Sequence, residues 1–164
     1  MISDIEGRII VAANDLRLRG VSKGTLQAND IQSAVRMMLT DKLCQVAVSE
    51  GTKMTLKPDL LLFSAARAGH HLRASARMHV SHLAPVYLTA VLGYLITEII
   101  QIALEEKHKD DPGAVTLTPA HLNRAIRKDE CMNQCFRGVV ARGGVAAEMM
   151  KDVMSPKKSK KRSR

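Results

Sequence analysis

Three observations predict an all-α chain built from two tandem helical units. Residues 25–36 align without a gap on residues 116–127 at a shift of 91, so one passage occurs twice. Apolar residues recur at spacings of three and four along most of the chain, which is the helical period. The apolar set holds nine Met among many Ile, Leu, Val and Ala, with no Trp, two Phe and two Tyr, and such residues are at home in long helices.

The elements follow in order. Residues 2–19 form a helix on whose apolar face Ile2, Ile5, Ile9, Ala12, Ala13 and Leu16 repeat, and Gly20 ends it. A loop over residues 21–27 holds Lys23, Gly24 and Thr25. A second helix runs from residue 28 to about 39, with Asn29 or Asp30 as its cap, because their side-chain oxygens accept from unpaired first-turn amides. A third segment covers residues 41–56, interrupted late by Gly51, and Pro58 marks a break.

A basic helix over residues 64–74 carries Arg67, His70, His71 and Arg73, and residues 75–83 are loop. Pro85, at a first-turn position where its missing amide costs nothing, starts the longest helix. Run to Glu106, that helix is about 33 Å long at 1.5 Å per residue. Asp110-Asp111-Pro112-Gly113 is a turn, and Thr118-Pro119 is a cap followed by a first helical residue. That helix stops near Arg127, and a short helix over residues 129–137, an irregular stretch to residue 154 and a basic tail complete the chain. Upstream, the same shift of 91 pairs Ile5, Ile9 and Ala12 with Ile96, Ile100 and Ala103, so each unit reads as helix, loop, second helix. Met1 falls on Leu92, and nothing in the first unit matches residues 63–91.

The net charge of +9 and a pI near 9.8 favour an anionic partner. Six of those charges, Lys157, Lys158, Lys160, Lys161, Arg162 and Arg164, lie in the tail, which makes it the electrostatic arm. Three cysteines and an acidic start without a secretion signal fit a reduced intracellular protein. Residues 85–104 are long and apolar enough to cross a bilayer, but Glu98 and Gln101 favour a helix buried in protein, so no membrane partner is expected. Cys131, Cys135, His70, His71, His79 and His82 lack the paired spacing of a structural zinc site, and no metal is expected. No nucleophile–base–orienter set or glycine-rich phosphate cradle is present. The chain is therefore read as non-enzymatic, with no cofactor and no small-molecule substrate.

Asp30-Ile31-Gln32-Ser33-Ala34-Val35-Arg36 followed by Ala47-Val48-Ser49-Glu50-Gly51-Thr52-Lys53 resembles the last two helices of histone 2B. Ala84-Pro85-Val86-Tyr87-Leu88-Thr89-Ala90-Val91-Leu92, then Pro119-Ala120-His121-Leu122 and Gly143-Gly144-Val145, resembles histone 2A. The order and direct fusion look like the histone 2B–2A doublets carried by some giant DNA viruses. This resemblance implies two tandem histone folds, the first incomplete, pairing within one chain as a histone-fold handshake. It divides the chain into a partial histone 2B-like fold (1–57), a short linker (58–62), a histone 2A-like fold (63–137), a docking-like extension (138–156) and a disordered basic tail (157–164).

The resemblance also implies the function: packaging of double-stranded DNA into nucleosome-like particles with a histone 3–4-type partner or doublet, in a virion, a viral factory or a host nucleus. The alternative is a histone-fold subunit of a transcription or replication complex that mainly binds proteins. Histones meet phosphates with arginines, helix N-termini and main-chain amides wherever the minor groove faces inward. The positions resembling such contacts are Lys23, Gly24, Thr25, Arg67, Arg73 and Arg77, with Thr116 where the family usually offers an arginine. Glu50, Glu98, Asp129 and Glu130 match part of the acidic patch that accepts arginine anchors, while Lys42, Gly93, Gln101 and Cys131 stand at other patch positions and weaken its field. Gly143, Gly144, Val145 and Met149 fall in the docking-like segment.

Overall fold

The computed structural model describes residues 2–19, 24–76, 78–110, 113 and 116–137. The expected stop at Gly20, Lys23, Arg77, part of the 110–113 turn, the docking-like segment with Gly143, Gly144, Val145 and Met149, and the basic tail lie outside the described residues.

Among the described residues the regular elements are helices. Helix α1 (Ile2–Arg19) buries Ile5, Ile9, Ile10 and Ala13 on one face. Helix α2 (Ala28–Met38) is capped two residues ahead of Asn29, the nearer of the two expected caps. Gln27 is the N-cap, and Asp30 serves at the third helical position by accepting the Gln27 backbone N–H at 2.7 Å. Neither Asn29 nor Asp30 is the cap, because the reciprocal geometry places the carboxylate inside the first turn.

Helix α3 (Asp41–Leu56) runs through Gly51 without interruption. Gly51 is there for space: a Cβ on it would lie 2.5 Å from Cζ of Tyr87, so the ring packs flat against the helix backbone. The Tyr87 hydroxyl donates to the carbonyl of Val48 at 3.3 Å, one turn earlier. A 3-10 turn (Pro58–Leu60) follows, with proline at its start.

Helix α4 (Ala65–Ser75) is capped by Ser64, whose hydroxyl accepts from the Ala66 amide. Helix α5 (Leu83–Asp110) is 28 residues long and passes the expected end at Glu106 by a turn, because Glu106 is held by Lys109 at 2.9 Å and by Lys128, which favours one more helical turn there. It is long and apolar enough to cross a bilayer, and most of its most apolar stretch is buried against the other helices. Helix α6 (Pro119–Lys128) begins as expected, with Thr118 as N-cap and its N–H donating to His121 Nδ1 at 3.2 Å. Helix α7 (Glu130–Cys135) is capped by Asp129, which accepts from the Met132 amide at 2.8 Å.

One core runs from Ile5 to Phe136, with α5 at its centre and α2, α3, α4 and α6 packed on it. The buried faces of α1 and α5 match at a shift of 90. Ile5, Ile9 and Ala13 are fully buried, and so, to within two per cent, are Leu95, Ile99 and Ala103. The partners at a shift of 91 do not match in this way, since Ile100 is exposed. α2 and α6 keep the shift of 91, with Ala34 and Val35 buried like Ala125 and Ile126. The connection from Ala103 to Leu117 is therefore one residue longer than that from Ala13 to Leu26.

Candidate nucleic-acid interface

The two loops on which the sequence placed most of its contacts meet. Leu26, after α1, forms an isolated parallel bridge with Val80, between α4 and α5. The Leu26 N–H donates to the His79 carbonyl at 2.7 Å, and the Ser81 N–H donates to the Leu26 carbonyl at 2.9 Å. Leu26 is fully buried, so the bridge is anchored from below by an apolar side chain. Gly24 is exposed and Thr25 half-buried at the outer edge of this bridge.

Behind the loop stands Arg17, which sequence reasoning missed. Its Nη1 lies 3.8 Å from Asp30 Oδ1, and its Nη2 lies 3.4 Å from where a Cβ on Gly24 would be. Its Nε is buried without a hydrogen-bond partner among the described residues. Asp30 thus fixes the loop twice, through the α2 cap and through Arg17. The signal was a basic residue on the last turns of a helix that leads into a glycine-containing loop.

Arg67 and Arg73 are exposed on α4, six positions apart and therefore on different faces. Arg67 lines an open cleft with Glu6 and His71, whereas Arg73 lies over Gly69, where a Cβ would come 3.1 Å from its Nη2. Thr116 is exposed just ahead of α6.

The acidic residues gather around Tyr94. Burial first, then the charges of Glu98, Asp129 and Glu50, push its phenol up to about 12. Glu130 is exposed in the first turn of α7. Two of these carboxylates have other partners: Glu50 accepts from Lys53 Nζ at 3.1 Å, and Asp129 caps α7. Gly93 sits on the same surface under Leu62, whose Cδ1 is 3.7 Å from the position of a Gly93 Cβ. Among the described residues no three His, Cys, Asp or Glu side chains are grouped to hold a metal ion.

No family model matches the chain. It is 35% identical over 112 residues, 68% of this chain and 83% of the relative, to a histone 2A of Plasmodium falciparum. It is 34% identical over 104 residues, 62% of this chain and 73% of the relative, to the Z-type histone 2A of Phaeosphaeria nodorum. Together with the all-helical architecture, these likenesses define a histone-fold protein, a structural class and not an enzyme. The chain belongs to the histone 2A family.

Proposed function

We propose that the chain packages double-stranded DNA into nucleosome-like particles as a histone 2B–2A doublet of the kind giant DNA viruses carry. In this reading α1–α3 belong to a histone 2B-like half. α4–α7 are the histone 2A-like half, and the two pair within one chain. The observation that carries it is the Leu26–Val80 bridge, which joins the second loop of one half to the first loop of the other.

Such a pair of loops presents several main-chain groups and small side chains at one edge, which suits phosphate binding without base reading. Gly24 and Thr25 supply backbone approach there, Arg17 supplies charge from behind, and Lys23 and Arg77 are assigned to the same surface. Arg67 and Arg73, on different faces of α4, are assigned to further phosphate contacts. Thr116 marks a second and weaker contact, since a threonine offers no formal charge to a phosphate.

The partner is a histone 3–4-type protein or doublet. Val11 and Leu18 on α1 and Met37 on α2 are large apolar side chains left exposed on the first half, and they form the surface for that partner. Residues 138–156, with Gly143, Gly144, Val145 and Met149, are assigned to docking on it, and the tail 157–164 to DNA. The site of action is the virion, the viral factory or the host nucleus.

Salt dependence of DNA binding tests the assignment. Arg67→Ala lowers the slope of log affinity against log salt by roughly 0.9, and Thr116→Arg raises it by a similar amount, because each phosphate contact releases about one counterion. Slopes unchanged in both variants, with DNA affinity unchanged at low salt, would assign the chain to the protein-binding alternative. Val11→Asp with Met37→Asp abolishes co-elution with the histone 3–4-type partner while leaving the melting temperature within a few degrees.

A further inference from the structure

The core stripes of α1 and α5 end alike. Ile5, Ile9, Ala13 and Arg17 are four apart and share a face, and the shift of 90 carries them to Leu95, Ile99, Ala103 and Lys107. Each stripe ends on a cation, one turn past a fully buried alanine. The helices that follow are also capped alike. Asp30, at the third position of α2, accepts the Gln27 N–H at 2.7 Å, and His121, at the third position of α6, accepts the Thr118 N–H on Nδ1 at 3.2 Å. Charge is where the two halves part. Arg17 has the Asp30 carboxylate 3.8 Å away, whereas the residue that matches Asp30 at the shift of 91 is His121. Lys107 is only 6% exposed, and no carboxylate pairs with it among the described residues. Its neighbour Glu106 is taken by Lys109 and Lys128. A buried cation without an anion is costly, and the cost is relieved by any anion that reaches it.

We propose that Lys107 and His121 hold one phosphate group at the loop ahead of α6, in the place that the Asp30 carboxylate takes beside Arg17. Lys107 supplies the charge. His121 supplies a donor of fixed position: its Nδ1 accepts from the Thr118 N–H and so carries no proton, which leaves the ring proton on Nε2. The positive end of the α6 dipole favours an anion at the same loop, and the exposed Thr116 adds a hydroxyl there. The second loop therefore has a charged phosphate site of its own, independent of a basic residue at position 116. The proposal rests on the two equivalent halves described above, and it extends that reading to a site whose occupation stabilises the fold.

The test is thermal unfolding of the 164-residue chain at fixed ionic strength, in chloride and in inorganic phosphate, beside His121→Asp and Lys107→Met. The original chain is expected to melt at least about 3 °C higher in phosphate, because the anion binds the folded state alone. His121→Asp keeps an acceptor for the Thr118 N–H and gives Lys107 the partner that Arg17 has. It is expected to melt above the original in chloride and to gain less than about 1 °C from phosphate. Lys107→Met keeps an unbranched buried stem without the charge, and it too is expected to lose the phosphate gain. No gain in the original chain, or a gain that persists in either variant, overturns the proposal. DNA then identifies the source of the phosphate. A slope of log affinity against log salt that is shallower by roughly 0.9 in His121→Asp assigns a backbone phosphate, and an unchanged slope beside an intact phosphate gain in the original chain assigns the free ion. The melting arm contains no DNA, so failure of the packaging reading leaves its result interpretable.

Discussion

Arg8 Nη1 donates to the carbonyl oxygen of Cys135 at 2.8 Å, across 127 positions of sequence. The bond joins the middle of α1 to the last turn of α7, where carbonyls lack helical partners and the helix dipole favours a cation. It fastens the first helix of the fold to the last.

Arg8→Ala is therefore expected to cost about 1–2 kcal/mol in urea unfolding, the usual range for a charge-assisted bond to a carbonyl. A second readout is thiol chemistry. Burial pushes the Cys135 thiol up to about 11, so the native protein presents Cys44 and Cys131 to a disulfide reagent and withholds Cys135. In Arg8→Ala the last turn of α7 frays and Cys135 becomes measurably reactive. Equal Cys135 reactivity in both proteins contradicts the fastening role.

Glycines on two helices have opposite roles. Gly51→Ala drives a methyl into the Tyr87 ring and costs about 2 kcal/mol or more, partly recovered in the double variant with Tyr87→Leu. Gly7 on α1 has open space around its missing Cβ, so Gly7→Ala gains about 0.5–1 kcal/mol from helix propensity alone. Chemical denaturation of the three variants checks both signs.

The Tyr94 phenol sets an alkaline limit. It stays neutral in the folded state up to about 12, while an unfolded tyrosine ionises near pH ~10, so between these values the unfolded chain binds fewer protons. Stability from this group is complete below about pH 10 and is lost as the pH rises towards 12. Tyr94→Phe makes the decline shallower, and Tyr87, also raised by burial, accounts for part of what remains. A denaturant midpoint followed from pH 8 to 11 measures the difference.

Arginine-anchor peptides should bind an assembled particle poorly. Three carboxylates converge on Tyr94, but Lys53 pairs with Glu50 and Asp129 is engaged by α7. Lys42, Gly93, Gln101 and Cys131 add no negative charge. Micromolar or weaker affinity is expected by fluorescence anisotropy, and Gly93→Glu with Gln101→Glu should strengthen it at least roughly tenfold, a change of about 1.4 kcal/mol. Nanomolar binding by the unaltered chain contradicts this.

Much of the fold was legible in the sequence. Periodicity placed α1, α2 and α6 to within a residue or two, and Thr118-Pro119 fixed the start of α6, because both signals are local. What escaped was tertiary. Gly51 reads as a break until the Tyr87 ring is seen against it, and the end of α5 depends on Lys128, which lies 22 positions past Glu106. The register of the two central helices was misread by one residue, because a repeat followed upstream assumes equal loops and these differ in length. At the candidate interface the loop residues were legible as a glycine-containing loop between helices. Arg17 was not, since only the folded chain brings it behind Gly24.

The central claim, that the chain wraps DNA as paired histone-like halves, is tested most directly by micrococcal nuclease digestion of a particle reconstituted from this chain, histone 3–4-type partners and DNA of mixed sequence. The account predicts a discrete protected fragment that shortens or disappears with Val11→Asp and Met37→Asp. Digestion to small fragments at the rate of free DNA, with all components present in the complex, would contradict it.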